Sequence, residues 1–257
     1  MYKFGFIGMG NMASAIQEGF IKKGAVQSED ICGCDLSEAA QKRAIDRGVA
    51  VFDDAKEVIN QSEMIFIAVK PQVVEKVIAP IKDDLKNKAV VSMVLGYDFA
   101  KYETMLDSST RHLTFMPNTP IQVGEGMVLI EEKHSLTNEE FNFIKSCFEK
   151  AGSVEILPSH LMNVGGALSG CGPAFIYMVI EALADGAVAK GLPRQAAYTL
   201  ASQTVLGSGK MQLETGIHPG ELKDRVTSPG GSTIRGVRAL EDGAIRSAFM
   251  AAIEKSM

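Results

Sequence analysis

Over roughly the first 155 residues, short apolar runs alternate with stretches of helical period. Lys3–Ile7 (KFGFI) reads as a buried strand and is followed at once by Gly-Met-Gly. Asn11–Lys23 then places Met12, Ile16 and Phe20 at i, i+4 and i+8, with Ala15 and Gly19 beside them, which makes one apolar helix face. Ile31–Cys34 is a second strand ending at Asp35, Leu36–Arg47 a helix, and Gly48–Phe52 a short strand. Met64–Val69 (MIFIAV) is apolar without alternation, as a central parallel strand covered on both faces must be, and Lys70-Pro71 stops it. Ala89–Leu95, Leu113–Met116 and Met127–Ile130 supply further strands, and Glu131-Glu132-Lys133 reads as a solvated turn. Strands alternating with helices predict βαβ units in an α/β, doubly wound parallel sheet.

After about Leu157 the pattern becomes helical, through Ala174–Lys190, Arg194–Met211, Glu221–Val226, Thr233–Glu241 and Ala244–Met257. These boundaries predict two domains, 1–157 and 158–257. The first two of these helices are apolar around much of their circumference, more than a bundle of this size buries alone. Helices from a second subunit would cover the excess, so a dimer at least is expected. Ile156–Ile180 carries no formal charge and is long enough for a membrane span. Its Pro158, Pro173 and four glycines predict instead a loop, a short helix, a tight turn and the start of a buried helix.

The chain has 257 residues, of which 46% are hydrophobic and 22% charged, a soluble globular composition that excludes a disordered or collagen-like chain. A net charge of −5 without a basic run argues against nucleic acid or an anionic membrane as partner and favours a small-metabolite enzyme. Cys32, Cys34, Cys147 and Cys171 are too few for a disulfide framework, and the first strand begins at Tyr2 or Lys3, so a cytoplasmic location is expected. The four histidines show no metal-ligand spacing, and no metal is expected.

Gly8-Met9-Gly10-Asn11-Met12-Ala13 is G-x-G-x-x-A between a strand and an amphipathic helix. Gly8 permits the tight turn, Gly10 lets backbone approach a pyrophosphate, Ala13 allows close helix–strand packing, and the helix N-terminus attracts the anion. Asp35 closes the second strand, where a carboxylate accepts hydrogen bonds from a free ribose 2′-hydroxyl and repels a 2′-phosphate, a lean towards NAD; it could alternatively cap the following helix, as could Ser37. Val69-Lys70-Pro71 lies at the carboxyl end of the central strand, either as part of a ligand site or as a strand stop.

Three further motifs lie far from the first: Met116-Pro117-Asn118-Thr119-Pro120, a rigid turn; Ser169-Gly170-Cys171-Gly172-Pro173-Ala174; and Thr227-Ser228-Pro229-Gly230-Gly231-Ser232-Thr233, ahead of a helix. In the last, Gly230 and Gly231 can both take positive φ, so that successive N–H groups converge into a nest for a carboxylate beside the Thr233 hydroxyl. An ordinary Ser/Thr cap after a glycine turn is the competing reading.

Taken in order, GFIGMGNM, AVKP, MPNTP, ALSGCGPAF and HPGELKDRVTSPGGSTIRGVRALE resemble the pyrroline-5-carboxylate reductase family from Phe4 to the last helix, Pro219–Glu241 being the most specific part. The resemblance implies a Rossmann-type N-terminal domain and an all-helical C-terminal dimerisation domain, assembled as a homodimer or a ring of dimers. It implies hydride transfer from NADPH or NADH to the C=N carbon of the cyclic imine 1-pyrroline-5-carboxylate, giving L-proline, without a metal. By position, Ile7, Gly8, Met9, Gly10, Asn11, Met12, Ala68, Val69, Lys70, Pro71, Met93, Val94 and Leu95 would contact the cofactor. Gly230, Gly231, Ser232 and Thr233 would hold substrate, with Thr233 facing the ring nitrogen as the catalytic hydroxyl. The chain departs from the family pattern at Cys171 (usually Ser), at Asn163-Val164-Gly165-Gly166 (usually Asp-x-x-Thr), at Ala55 (often Asn) and at Asp35 (often Ser or a basic partner). Two other readings compete: a β-hydroxyacid dehydrogenase, which needs a catalytic lysine for which only Lys190 and Lys210 stand nearby, and a non-catalytic NAD(P)-binding regulator.

Overall fold

A computed structural model describes all residues, Met1–Met257. The elements are β1 (Tyr2–Ile7), α1 (Asn11–Lys22), β2 (Ile31–Cys34), α2 (Glu38–Asp46), β3 (Ala50–Val51), α3 (Ala55–Gln61), β4 (Ser62–Ile67), α4 (Val74–Ile78), β5 (Ala89–Ser92), α5 (Phe99–Met105), β6 (Arg111–Met116), β7 (Gly126–His134), α6 (Asn138–Lys150) and β8 (Gly152–Leu157). Then follow α7 (Met162–Val188), α8 (Arg194–Thr215), α9 (Pro219–Arg225), α10 (Ser232–Asp242) and α11 (Ile245–Lys255). By backbone contacts the chain divides into two compact units, Met1–Cys171 and Gly172–Met257.

In the first unit all eight strands form one sheet in the order β3-β2-β1-β4-β5-β6-β7-β8. Strands β1 to β6 run parallel, β7 is antiparallel to β6, and β8 is parallel to β7. The order reverses between β1 and β4, which puts a crevice at the carboxyl ends of those strands. Successive side chains leave a strand on opposite faces, so KFGFI and MIFIAV feed two cores. On one face Phe4, Phe6, Phe20, Phe66, Phe115 and Phe148 are buried together, with Phe6 stacked on Phe66 at 4.4 Å between ring centroids. On the other, Ile7, Ile65, Ile67, Val90, Val94 and Tyr102 are buried beneath the opposite helices. Cys32 and Cys34 belong to this second core, where burial, reinforced by the Asp35 carboxylate, pushes the Cys34 thiol up to about 11. These are structural, protonated thiols.

Two expectations fail, one within this unit and one in the helix that runs on from it. The predicted turn at Glu131-Glu132-Lys133 is strand: β8, a strand the hydrophobic pattern does not reveal, pairs along β7 as far as Glu131↔Leu157, and β6 pairs with it at Leu113↔His134. Glu131 is 0% exposed, and its Oε2 accepts from the Phe99 N–H at 2.8 Å. The predicted break between Ile156 and Ile180 is likewise absent, for α7 is one helix of 27 residues with Pro173 inside it. A proline within a helix leaves the carbonyl four residues back without its donor. Here that carbonyl belongs to Ser169, and Asn118 Nδ2 donates to it at 3.0 Å. Asn118 Oδ1 meanwhile accepts from the Met127 N–H at 2.9 Å, so one nearly buried amide completes two backbone groups. Asn118→Ala strands both and is expected to cost about 2–4 kcal/mol, read as a lower urea midpoint at unchanged m-value.

The second unit is helical throughout and buries little of its apolar surface. Tyr177, Met178, Leu206 and Leu213 are between 54% and 79% exposed, as the all-round apolar pattern anticipates. Ser159–Val188 is long and apolar enough to cross a membrane by length and composition.

Candidate active site

The Gly-rich turn is built by three backbone hydrogen bonds at neighbouring strand ends. The Gly8 N–H donates to Cys34 O at 2.9 Å, Ala68 N–H to Ile7 O at 2.9 Å, and Met93 N–H to Ile67 O at 3.3 Å. Ile7–Met12, Asp35, Ala68–Pro71 and Met93–Leu95 therefore lie along the carboxyl ends of adjacent β2, β1, β4 and β5. Gly8 has φ +91°, and a Cβ there would stand 2.7 Å from Ala68 O. Only glycine fits both the dihedral and the space. Gly10 differs: it is the N-cap of α1 at φ −65°, and a Cβ built on it meets nothing within 4 Å. No side chain caps α1 and no acidic residue sits in its first turn. Open space before an uncapped, partially positive helix end is what a pyrophosphate requires, so the turn fits a dinucleotide.

Asp35 resolves the choice between ribose and cap in part. Ser37 is the N-cap of α2, its hydroxyl accepting from Ala40 N–H at 3.4 Å. The Asp35 carboxylate instead bridges the Gly-rich turn and the β2–α2 connection, with Oδ2 accepting from Met9 N–H at 2.6 Å and Oδ1 from Ser37 N–H at 2.8 Å. It stands beside the turn as a fixed negative charge, whereas Lys42 and Arg43 point to solvent on α2. Pro71 begins a short 3-10 turn at a position that needs no backbone donor, so it ends the β4 connection cleanly.

In the second unit, the 227–233 loop leads into α10. Gly230 takes φ +70° as anticipated, but Gly231 does not: it is the N-cap of α10 at φ −68°. A Cβ there would stand 2.5 Å from Ser228 Oγ, which is exposed and can rotate away, and 3.1 Å from Ser228 O, so the dihedral does not demand glycine and the space is close but not closed. The Gly231 N–H is spent on Ser228 O at 3.0 Å, so the expected two-glycine nest does not form. The competing Ser/Thr cap is also absent. Ser232 and Thr233 occupy the first helical positions, exposed, and no side chain caps α10. An uncapped helix end with a hydroxyl in its first turn can hold a carboxylate and one further polar group.

Two functional supports escape the sequence reading. Arg235 Nη1 donates to Gly230 O at 2.8 Å and secures the left-handed turn; a basic residue shortly after the glycine pair is the only signal for it. Asn118 is the other, signalled by the proline four residues beyond Ser169. His218 caps α9, Nδ1 accepting from Gly220 N–H at 3.1 Å, in keeping with a cap histidine. Lys210 lies exposed within α8, 3.6 Å from Glu214, without the surroundings of a catalytic lysine.

Comparison with known proteins gives the following likenesses. Residues 159–257 match the family model for pyrroline-5-carboxylate reductase dimerisation, and residues 3–96 the model described as NADP oxidoreductase coenzyme F420-dependent. The chain is 43% identical over 253 residues to the pyrroline-5-carboxylate reductase of Methanosarcina acetivorans, covering 98% of this chain and 94% of that protein. It is 39% identical over 257 residues to the enzyme of that name from Escherichia coli K12, covering 99% and 96%. Among solved structures, Plasmodium falciparum pyrroline carboxylate reductase with NADP bound aligns with a TM-score of 0.90 at 30% identity, over 99% of this chain and 95% of that one.

Proposed function

The chain belongs to the pyrroline-5-carboxylate reductase family, and we propose that it reduces 1-pyrroline-5-carboxylate to L-proline, the last step of proline synthesis, with NADPH or NADH as reductant. What carries the reading is that the likeness runs through both constellations and not through the dinucleotide motif alone. Bound in the first unit, the reduced cofactor supplies the hydride for the C=N carbon. Ile7, Gly8, Met9, Gly10, Asn11 and Met12 form its pyrophosphate cradle, Asp35 meets the ribose, and Ala68, Val69, Lys70, Pro71, Met93, Val94 and Leu95 line the remainder.

Gly230, Gly231, Ser232 and Thr233 receive the substrate. Its carboxylate is drawn to the uncapped N–H groups of Ser232 and Thr233 at the positive end of α10. The Thr233 hydroxyl accepts the N–H of the protonated imine. Such an imine is already electrophilic, so a neutral hydroxyl suffices at nitrogen and the main task of the protein is alignment.

The fixed Asp35 carboxylate favours NADH over NADPH. We expect a higher kcat/KM with NADH, and in Asp35→Asn, which keeps an acceptor and loses the charge, a shift of about tenfold towards NADPH in the ratio of the two kcat/KM values. Steady-state rates with each cofactor check this.

We place the functional boundary at 157/158, with cofactor binding in 1–157 and self-association and substrate binding in 158–257. The exposed apolar surface of α7 and α8, within the segment that matches the dimerisation family, supports a homodimer, and rings of dimers are the natural extension. The same surface is read as a subunit interface and not as a membrane span. The protein is placed in the cytoplasm, with no nucleic-acid or membrane partner. The test is the loss of reduced nicotinamide absorbance on adding 1-pyrroline-5-carboxylate, with L-proline formed in equal amount; purified, folded protein that consumes neither cofactor overturns the reading.

A further inference from the structure

Two of the segments assigned to the cofactor, Ala68–Pro71 and Met93–Leu95, leave the sheet from adjacent strands, β4 and β5. The ladder between those strands ends at Ile67↔Ser92 and at the 3.3 Å bond from Met93 N–H to Ile67 O. No further backbone hydrogen bond joins the two connections. One side chain does. After Leu95 the chain turns back, with Gly96 at φ +78° and Tyr97 N–H donating to Val94 O at 3.2 Å. The Tyr97 phenol then reaches the β4 connection, where its one hydrogen is shared between Glu75 Oε1 at 3.1 Å and, more weakly, Pro71 O at 3.4 Å.

The near end of this tie is fixed. Tyr97 is 8% exposed; its ring packs on that of Tyr102, 5.9 Å between centroids, and the Lys101 ammonium covers it at 3.5 Å. Beneath it Ser92 Oγ, hydrogen-bonded with the buried Tyr102 hydroxyl, accepts from Val94 N–H at 3.2 Å. Phenylalanine would fill the same space without needing an acceptor, so what the hydroxyl adds is the link to Pro71 and Glu75. The pyrophosphate turn follows β1 and Asp35 follows β2, whereas β4 and β5 lie on the other side of β1 and so face the nicotinamide half of the cofactor. Resting on the assignment of the first unit as the cofactor site, we propose that Tyr97 is a positioning residue. Its hydroxyl sets the separation of the Ala68–Pro71 and Met93–Leu95 walls, and with it the seat of the nicotinamide ring. Hydride transfer depends steeply on that alignment.

The test compares the full-length chain with Tyr97→Phe, which keeps the ring and its packing and removes the hydroxyl. Binding comes first because it needs no turnover: NADH fluorescence titrations should give a Kd about 3–10-fold higher in the variant. With the imine, kcat should fall about 3–10-fold while KM for the imine stays within about twofold, since the 230–233 loop is untouched. The isotope effect on kcat with C4-deuterated cofactor should grow as hydride transfer becomes the slower step. Loss of packing alone would lower Tm and leave the cofactor Kd and the isotope effect at their wild-type values. Glu75→Gln keeps an acceptor for the phenol and should hold the Kd within about twofold of wild type. A wild-type Kd and isotope effect in Tyr97→Phe overturns the role assigned to the hydroxyl, as does a Kd raised equally by Glu75→Gln, which would assign the effect to the charge. If the wild-type protein binds NADH and reduces no imine, the assigned reaction fails and the Kd comparison still decides.

Discussion

Gly8→Ala is expected to lose about 2–4 kcal/mol of stability and, with it, cofactor binding. The backbone at Gly8 has φ +91°, a region that an L-residue with a Cβ occupies only under strain, and the added carbon would stand 2.7 Å from the Ala68 carbonyl oxygen. Both are backbone constraints, so no side-chain rotation relieves them. To relax, the turn would have to move off β4 and break the Gly8 N–H to Cys34 O bond that seats it. Against a total stability of about 5–15 kcal/mol the loss is large, and a lower urea midpoint with unchanged m-value measures it. Gly10→Ala is the control. Its Cβ meets nothing within 4 Å and its φ of −65° suits alanine, so stability should change by less than about 1 kcal/mol. The methyl would fill the space assigned to the pyrophosphate, and the KM for the reduced cofactor should rise at least about tenfold. A Gly10→Ala protein with normal cofactor KM would remove the pyrophosphate from this turn.

Thr233→Val should lower kcat/KM for the imine by about 10–100-fold, the range expected for losing one hydrogen bond to a charged group. Valine keeps the shape and removes only the hydroxyl. Thr233 is exposed in the first turn of α10 and caps nothing, so the loss should appear in kinetics and not in Tm. Thr233→Ser restores the hydroxyl and should recover most of the rate. Equal losses in the serine and valine variants would mean that the methyl group, and not the hydroxyl, carries the effect.

Much of this was legible along the chain because it is local. KFGFI followed by Gly-Met-Gly announces a strand, a turn and a helix within a dozen residues, and Gly8 takes the conformation that its motif demands. What was hidden depends on partners distant in sequence. Glu131 lies in a run of charge that reads as solvated, yet β8 on one side and the start of α5 on another bury it. Pro173 should break a helix, and would, except that Asn118, more than fifty residues earlier, supplies the missing donor to Ser169. At Gly231 the dihedral is one any residue adopts, and what crowds the position is Ser228, whose hydroxyl can turn away and whose carbonyl oxygen stands 3.1 Å from a built Cβ. Pattern identifies where a special residue is needed; the fold decides which physical demand it answers.

The most direct test of the central claim follows the hydride itself. The protein is given 1-pyrroline-5-carboxylate with NADH or NADPH carrying deuterium at both C4 positions, and the product is analysed by mass spectrometry and NMR. The account predicts L-proline bearing one deuterium at C5, the former C=N carbon. Proline without deuterium there, or cofactor oxidation without proline, would contradict it.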